Sequence, residues 1–592
     1  MWRSFCYSLP GQAGRGAPKL ESQLVEHMKN SNLVHAFTSA RARTALTVLT
    51  CLVSVGCSSS SSNGGPSAGS PSAGGPGNGG SASAIGGAPA TGGSGPAGGS
   101  VAAGGSSSGA AGAGGSSGGI ASSGAGTAGT PANAGAGGSP DIVTKTSSTF
   151  AFKHYPIETN SSNVWSGTAT AGQAVSTTNY DTVILENGFL KVTLLPSYGG
   201  RILSIVHKPT GKELLYQNPI GTPYLMTQDI FYYDYLVIMG GIFPSFPEPE
   251  HGRYWNQPYQ LQVVSETPEA ITVRMSRKDD QDVVTGVPAR YDVGRTDILV
   301  DLDVTLRAGR SSVQLDTKLT NTRNSAVSKF EYWTVTTLAP GSTPGQTSIP
   351  KNTRIIAKMD QVHLFEGDWP WFANAEQRVS GEVFKWNNLS HFENWEREGT
   401  AFASPSYQTN WSGLINYEND FGILCVTDAV ATPGLKLWTF GRDSVTADVK
   451  DSTQWLRPAI EMWHGLTPEF WKRGMMAAGE TRKTTANYFP TLGLKEITAA
   501  NENGAVSLSS SKSGTDTVLS AIATLTLPNQ PVKVQLKLDG KEVANKDLVV
   551  DATKATTVTV TLPSTSAATG ATFSADFTQG DNKLLSGQTT LQ

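Results

Sequence analysis

Cysteine is scarce in this 592-residue chain: there are four, and only Cys425 lies beyond residue 57. No internal disulfide framework can therefore brace the chain beyond Cys57, even in an oxidising compartment. Cys425 sits in the apolar run Phe421–Val426 and is expected to be a small buried hydrophobe. Charge is absent from residues 58–140, which hold almost nothing but Gly, Ser, Ala and Pro. Apolar side chains larger than Ala are so few there that nothing offsets the entropy of ordering, and no core can form. Lys/Arg clusters are lacking as well, which removes the electrostatic footprint of a nucleic-acid partner. The chain has no His-Glu-x-x-His, no Cys-x-x-Cys pair, no phosphate loop and no nucleophile elbow. Zinc, nucleotide and serine-hydrolase chemistry are disfavoured accordingly, and no metal or other cofactor is expected.

What is present begins with a leader. Arg41 and Arg43 precede the apolar run Thr44–Val55, and Gly56 stands before Cys57. Twelve residues are too few to cross a bilayer core of ~30 Å, so the run is expected to be an export signal rather than an anchor. The segment before Met28 fits no signal pattern. The order resembles a bacterial lipoprotein, with Ser54 where that motif usually has Leu. The resemblance implies cleavage before Cys57, lipidation of its thiol and, with Ser58 next, sorting to the outer membrane. A lipid anchor is then the only membrane contact. Residues 1–56 carry six basic and two acidic side chains, so cleavage would move the net charge from −3 to about −7. Residues 58–140 form the tether, with a reach near ~50 Å for a Gly/Ser-rich chain of this length.

From residue 141 the pattern is strand-like. Phe189–Leu195, Ile271–Met275, Ile298–Leu306 and Val313–Leu319 alternate apolar and polar residues, the period of a half-buried strand. Pro, Gly, Asn and Asp interrupt at short intervals, and no long stretch keeps a helical period. These features predict an all-β, antiparallel architecture. Every Trp after the leader falls between Trp165 and Trp471, so the composition divides the chain. The part at 141–495 is aromatic-rich; residues 500–592 are rich in Thr, Ser, Val and Lys. The latter, with Val532–Leu538 and the hairpin turn Asp539-Gly540, reads as a small immunoglobulin-like β-sandwich serving as an accessory module.

Leu185–Ile205 runs Leu-Glu-Asn-Gly-Phe-Leu-Lys-Val-Thr-Leu-Leu-Pro-Ser-Tyr-Gly-Gly-Arg-Ile-Leu-Ser-Ile, with His207–Tyr216 after it. This resembles the opening of the galactose-mutarotase-like (aldose 1-epimerase-like) β-supersandwich, where a strand enters a Gly-Gly turn and a second strand leaves it. Glu250-His251-Gly252-Arg253, Leu319–Asn324, Pro458–Pro468 and Gly479-Glu480 match later segments in order, over about residues 146–494. The resemblance implies a saccharide-binding cup. It makes Glu461 the base that removes the anomeric hydroxyl proton, and His251 a hydroxyl binder. The family's second His has no counterpart, for this chain reads Phe330-Glu-Tyr-Trp-Thr334 there. Tyr332 and His464 are the remaining candidates for the acid that such a reaction needs.

Aromatic residues point the same way, because sugars present apolar C–H faces that stack on rings. Tyr232, Asp234, Arg253, Trp255, Trp369, Trp371 and Trp463 are the expected saccharide-binding side chains, with Trp369 and Trp371 on a loop. Asp279-Asp280-Gln281-Asp282 lacks the Gly and distal Glu of a calcium loop and reads as a solvated turn. Three functions stay open: a surface-tethered carbohydrate-active enzyme (isomerase, lyase or hydrolase), a non-catalytic glycan-binding lipoprotein, and a structural surface protein.

Overall fold

In the computed structural model, the residues described are 141–154, 176–221, 240–248, 251–282, 293–363, 378–380, 383–396, 399–403, 410–442, 458–527 and 530–592. Nearly all of the regular structure is antiparallel β. A thirteen-stranded sheet runs from Thr144–His154 at one edge to Arg378–Ser380 at the other; Trp333–Ser342, Ile460–Gly465 and Gly434–Thr439 are consecutive neighbours near its middle. An eight-stranded sheet contains, in spatial order, Phe421–Thr427, Thr481–Leu492, Val313–Asn321, Ile298–Arg307 and Ala270–Lys278. The strands expected from period-2 alternation appear as Leu190–Leu195, Ala270–Lys278, Ile298–Arg307 and Val313–Asn321.

The two large sheets share one core. Ile460, Met462, Leu435, Leu437 and Leu338 from the first meet Val300, Leu302, Leu319, Cys425 and Tyr488 from the second. Because side chains alternate across a strand, each sheet has a second, outward face with its own set of residues. On the eight-stranded sheet that face carries Ile415, Leu424, Val426 and Phe489, which cluster with Leu494, Ala500 and Ala505. Phe421–Thr427 is thus buried on both sides, which is why it reads as an unbroken apolar run rather than an alternating one. Burial pushes the Cys425 thiol up to about 12.

Residues Ala499–Thr590 add two four-stranded sheets around a core of their own, including Val506, Leu536, Phe573 and Phe577. Asp539 (φ 48°) and Gly540 (φ 77°) make the left-handed turn between Pro531–Leu538 and Lys541–Val549. This sandwich is joined to the rest through the Ala500–Phe489 cluster and by the Thr524 hydroxyl, which hydrogen-bonds both the N–H and the carbonyl of Leu492.

Candidate functional site

The outward face of the thirteen-stranded sheet carries a separate aromatic cluster: Trp463, Trp333, Trp255, Tyr198, Phe243 and Phe470, each at most 8% exposed. Strand register puts Glu461 among them. Thr337 lies opposite Glu461 and Val335 opposite Trp463, so Glu461, Trp463, Val335 and Trp333 share one face. The Glu461 carboxylate is 3% exposed and accepts the indole N–H of Trp463 at 2.9 Å. Lys436, opposite Trp463 on the neighbouring strand, puts its ammonium 3.8 Å from the Trp463 ring centroid and 4.1 Å from that of Phe470. Cation–π contact of this kind suits a lysine that is only 1% exposed.

His251 adjoins the same cluster. Its ring lies 5.6 Å from Trp463 and 6.3 Å from Trp255. Its backbone is left-handed, at φ 59°, a strained conformation for a residue with a side chain. The Gly199-Gly200 turn underlies this arrangement: both residues have positive φ, and a Cβ on Gly199 would stand 2.0 Å from the Trp255 carbonyl oxygen. Arg201, next in the chain, donates to the carbonyls of Tyr198, Gly240 and Trp255, clamping three segments beneath the aromatic cluster. Burial lowers its guanidinium to about 10, while Glu461 pulls the other way.

Two candidates for the acid lie elsewhere. Tyr332 and His464 occupy the opposite face of the sheet from Glu461. The Tyr332 hydroxyl meets Thr317 of the second sheet, and His464 Nε2 is 2.8 Å from the Ser412 hydroxyl in the shared core. Glu461 and His464 stand three positions apart, and an odd step along a strand reverses the side. Burial also lowers the His464 imidazole to about 4 and raises the Tyr332 phenol, so neither is poised to exchange protons at neutral pH. Arg253 is likewise not available for a sugar. Its guanidinium donates through Nε and Nη2 to the two oxygens of Glu248 (3.1 Å each) and through Nη1 to Asp279 (3.0 Å), with all three side chains at most 5% exposed. Asp279, expected in a solvated turn, is fully buried and also accepts from the Tyr254 hydroxyl and the Thr296 N–H. Tyr232, Asp234, Trp369, Trp371 and Cys57 lie outside the described residues.

Two participants had not been anticipated. Glu331 is 1% exposed on the same face as Trp333 and accepts both the Trp333 indole N–H (2.9 Å) and the Trp471 backbone N–H (2.7 Å). Burial outweighs those bonds and pushes its carboxyl up to about 7. Lys436 is the other. Both had a signal in the chain: Glu331-Tyr-Trp333 repeats the Glu461-Met-Trp463 spacing, and Lys436 is a lone cation within the apolar strand Gly434–Thr439.

Trp333 lies over two glycines. A Cβ on Gly465 would come within 2.6 Å of three Trp333 ring atoms, and one on Gly434 within 2.5 Å. Gly465→Ala is therefore expected to destabilise the fold by about 1–3 kcal/mol through overpacking. Urea unfolding would measure this, and an unchanged midpoint would mean that the ring is free to move.

A family model described as Domain of unknown function (DUF5107) matches residues 159–299. Among solved structures, the chain is similar to a TPR-domain containing protein from Parabacteroides distasonis ATCC 8503, at 16% identity and TM-score 0.46, covering 60% of this chain and 56% of that one. It is also similar to galactose mutarotase-like proteins. One from Clostridium acetobutylicum is 11% identical with TM-score 0.35, covering 53% of this chain and 95% of that one. Another, from Lactobacillus casei ATCC 334, is 12% identical with TM-score 0.32, covering 52% and 100%. The chain thus spans little more than half of the Parabacteroides protein.

Proposed function

We propose that this chain is a surface-tethered carbohydrate-active protein that takes extracellular glycans into the outward face of its large sheet, at Glu461. The observation that carries this reading is a single constellation: a nearly buried carboxylate, fixed by the Trp463 indole, among aromatic rings packed edge to face, with Lys436 and His251 beside it. Aromatic faces take the C–H surfaces of a sugar, and a few fixed polar groups take its hydroxyls. Glu461 is the residue best placed to accept a hydroxyl proton, and His251 is the imidazole beside it. The lipid anchor at Cys57 and the Gly/Ser tether belong to the same proposal. A second reading has its own support: with Tyr332 and His464 turned to the inner core, the face holds a glycan without transforming it.

The test is titration of the purified full chain and a Glu461→Gln variant with a panel of plant, algal and bacterial saccharides, with products followed by NMR. Loss of a charge-assisted hydrogen bond predicts about 10–100-fold weaker binding in the variant. New reducing ends, unsaturated sugars or faster anomer exchange in the parent alone would establish an enzyme. Binding without turnover would establish a receptor. Equal binding by parent and variant would remove Glu461 from the site.

A further inference from the structure

The strands Trp333–Ser342 and Ile460–Gly465 bring two copies of one motif onto one face, Glu331-x-Trp333 and Glu461-x-Trp463. In each copy the indole N–H donates to the carboxylate two residues earlier, at 2.9 Å in both cases. Trp333 faces Gly465 and Val335 faces Trp463, so a half-turn about the point between these pairs exchanges the two motifs. The half-turn also exchanges their neighbours. Lys436 flanks Trp463 on one side of the strand pair, and Ser245 flanks Trp333 on the other.

Ser245 is an independent sign of a ligand. It is 1% exposed, on the face of Trp333, and its hydroxyl makes no hydrogen bond within the protein. Thr337, opposite Glu461 and 2% exposed, is in the same condition. Each half therefore holds a carboxylate paired with an indole and, beside them, a buried hydroxyl that makes no hydrogen bond within the protein, which is costly to keep buried unless a ligand satisfies it. The carboxylates do not serve one bond. Six residues of register separate Glu331 from the Thr337–Glu461 pair, a rise of ~20 Å along the strand. Carboxylates that share a glycosidic bond stand about 5–10 Å apart.

We infer that the face holds two saccharide units at once, one at Glu461–Trp463 and one at Glu331–Trp333–Ser245. Its ligand is then an oligosaccharide or the end of a polysaccharide rather than a free monosaccharide. The inference rests on the glycan reading above and adds a length requirement to it.

Calorimetric titration of the full chain with galactose, with β-1,4-linked galacto-oligosaccharides of two to four units and with the matching gluco-series tests the length requirement. In at least one series, affinity should rise about tenfold or more between the monosaccharide and the longer members, as a hydrogen bond plus a stacked face supplies. Ser245→Ala, which breaks no hydrogen bond in the protein, should cut that rise to under about threefold. Glu331→Gln should do the same, and Glu461→Gln should weaken every member. Equal affinity for short and long members overturns the inference while sparing the glycan reading, as does an undiminished rise in Ser245→Ala. No binding in either series rejects both for these sugars.

Discussion

Arg253→Met should destabilise the protein by about 3–5 kcal/mol, the range for removing one partner of a buried ion group. Arg253 closes a triad with Glu248 and Asp279, both fully buried, and the Asp279 end belongs to the second sheet's strand-end segment. The methionine fills most of the volume but leaves two buried carboxylates without that guanidinium. Urea unfolding would report the loss as a lower midpoint. A triple variant, Glu248→Gln with Arg253→Met and Asp279→Asn, should recover a good part of it, since neutral groups cost less to bury. A single variant as stable as the parent would mean that the carboxylates are neutralised by other means.

The second large effect concerns pH. Glu213 is fully buried, and its carboxylate accepts the N–H groups of Ile205, Leu214 and Leu215 and the Ser204 hydroxyl, yet burial still pushes it up to about 7 from 4.5. Between these values the folded chain keeps a proton that the unfolded chain has lost. This group's contribution to stability is therefore complete below pH 4.5 and is lost as pH rises to 7, a change of about 3 kcal/mol. Glu331 behaves alike. His207 and His464, both lowered to about 4 from 6.5 by burial, act in the opposite sense, contributing fully above 6.5 and losing their contribution as pH falls to 4. The slopes oppose each other between 4.5 and 6.5. Glu213→Gln removes one descending limb, so the stability gap between parent and variant should shift by about 3 kcal/mol in the variant's favour from pH 4.5 to 7. Urea unfolding across that range decides it; a constant gap would place the Glu213 titration elsewhere.

The strands were legible because alternation is a local signal: Val313–Asn321 shows its buried face in every second residue. The site was legible in part. Glu461, His251, Trp255 and Trp463 share one cluster; all but Trp255, which was singled out as an aromatic, lie in segments that carry the resemblance. His464 stands an odd step from Glu461 on one strand, so alternation alone sends it to the other face, whereas the side of Tyr332 depends on how two distant strands pair. Arg253 could not be judged from its neighbours, because its second partner, Asp279, lies 26 residues away in the chain. Pairings over that distance depend on how sheets stack, which no local period encodes. Glu331 carries only a weak local signal, the repeat of the Glu-x-Trp spacing of Glu461 and Trp463, and its burial depends on the Trp471 segment 140 residues away.

The doubly buried strand Phe421–Thr427 has a bearing on biosynthesis. Its outward side chains, with Phe489, cluster with Leu494, Ala500 and Ala505, and the sandwich that holds Ala500 and Ala505 follows them in the chain. At about 5–20 residues per second, the 98 residues from Lys495 to Gln592 take about 5–20 s to emerge. For that interval a broad apolar sheet face is open to water and to other nascent chains. A module that looks like an appendage thus completes the cover of a sheet face made before it in the chain.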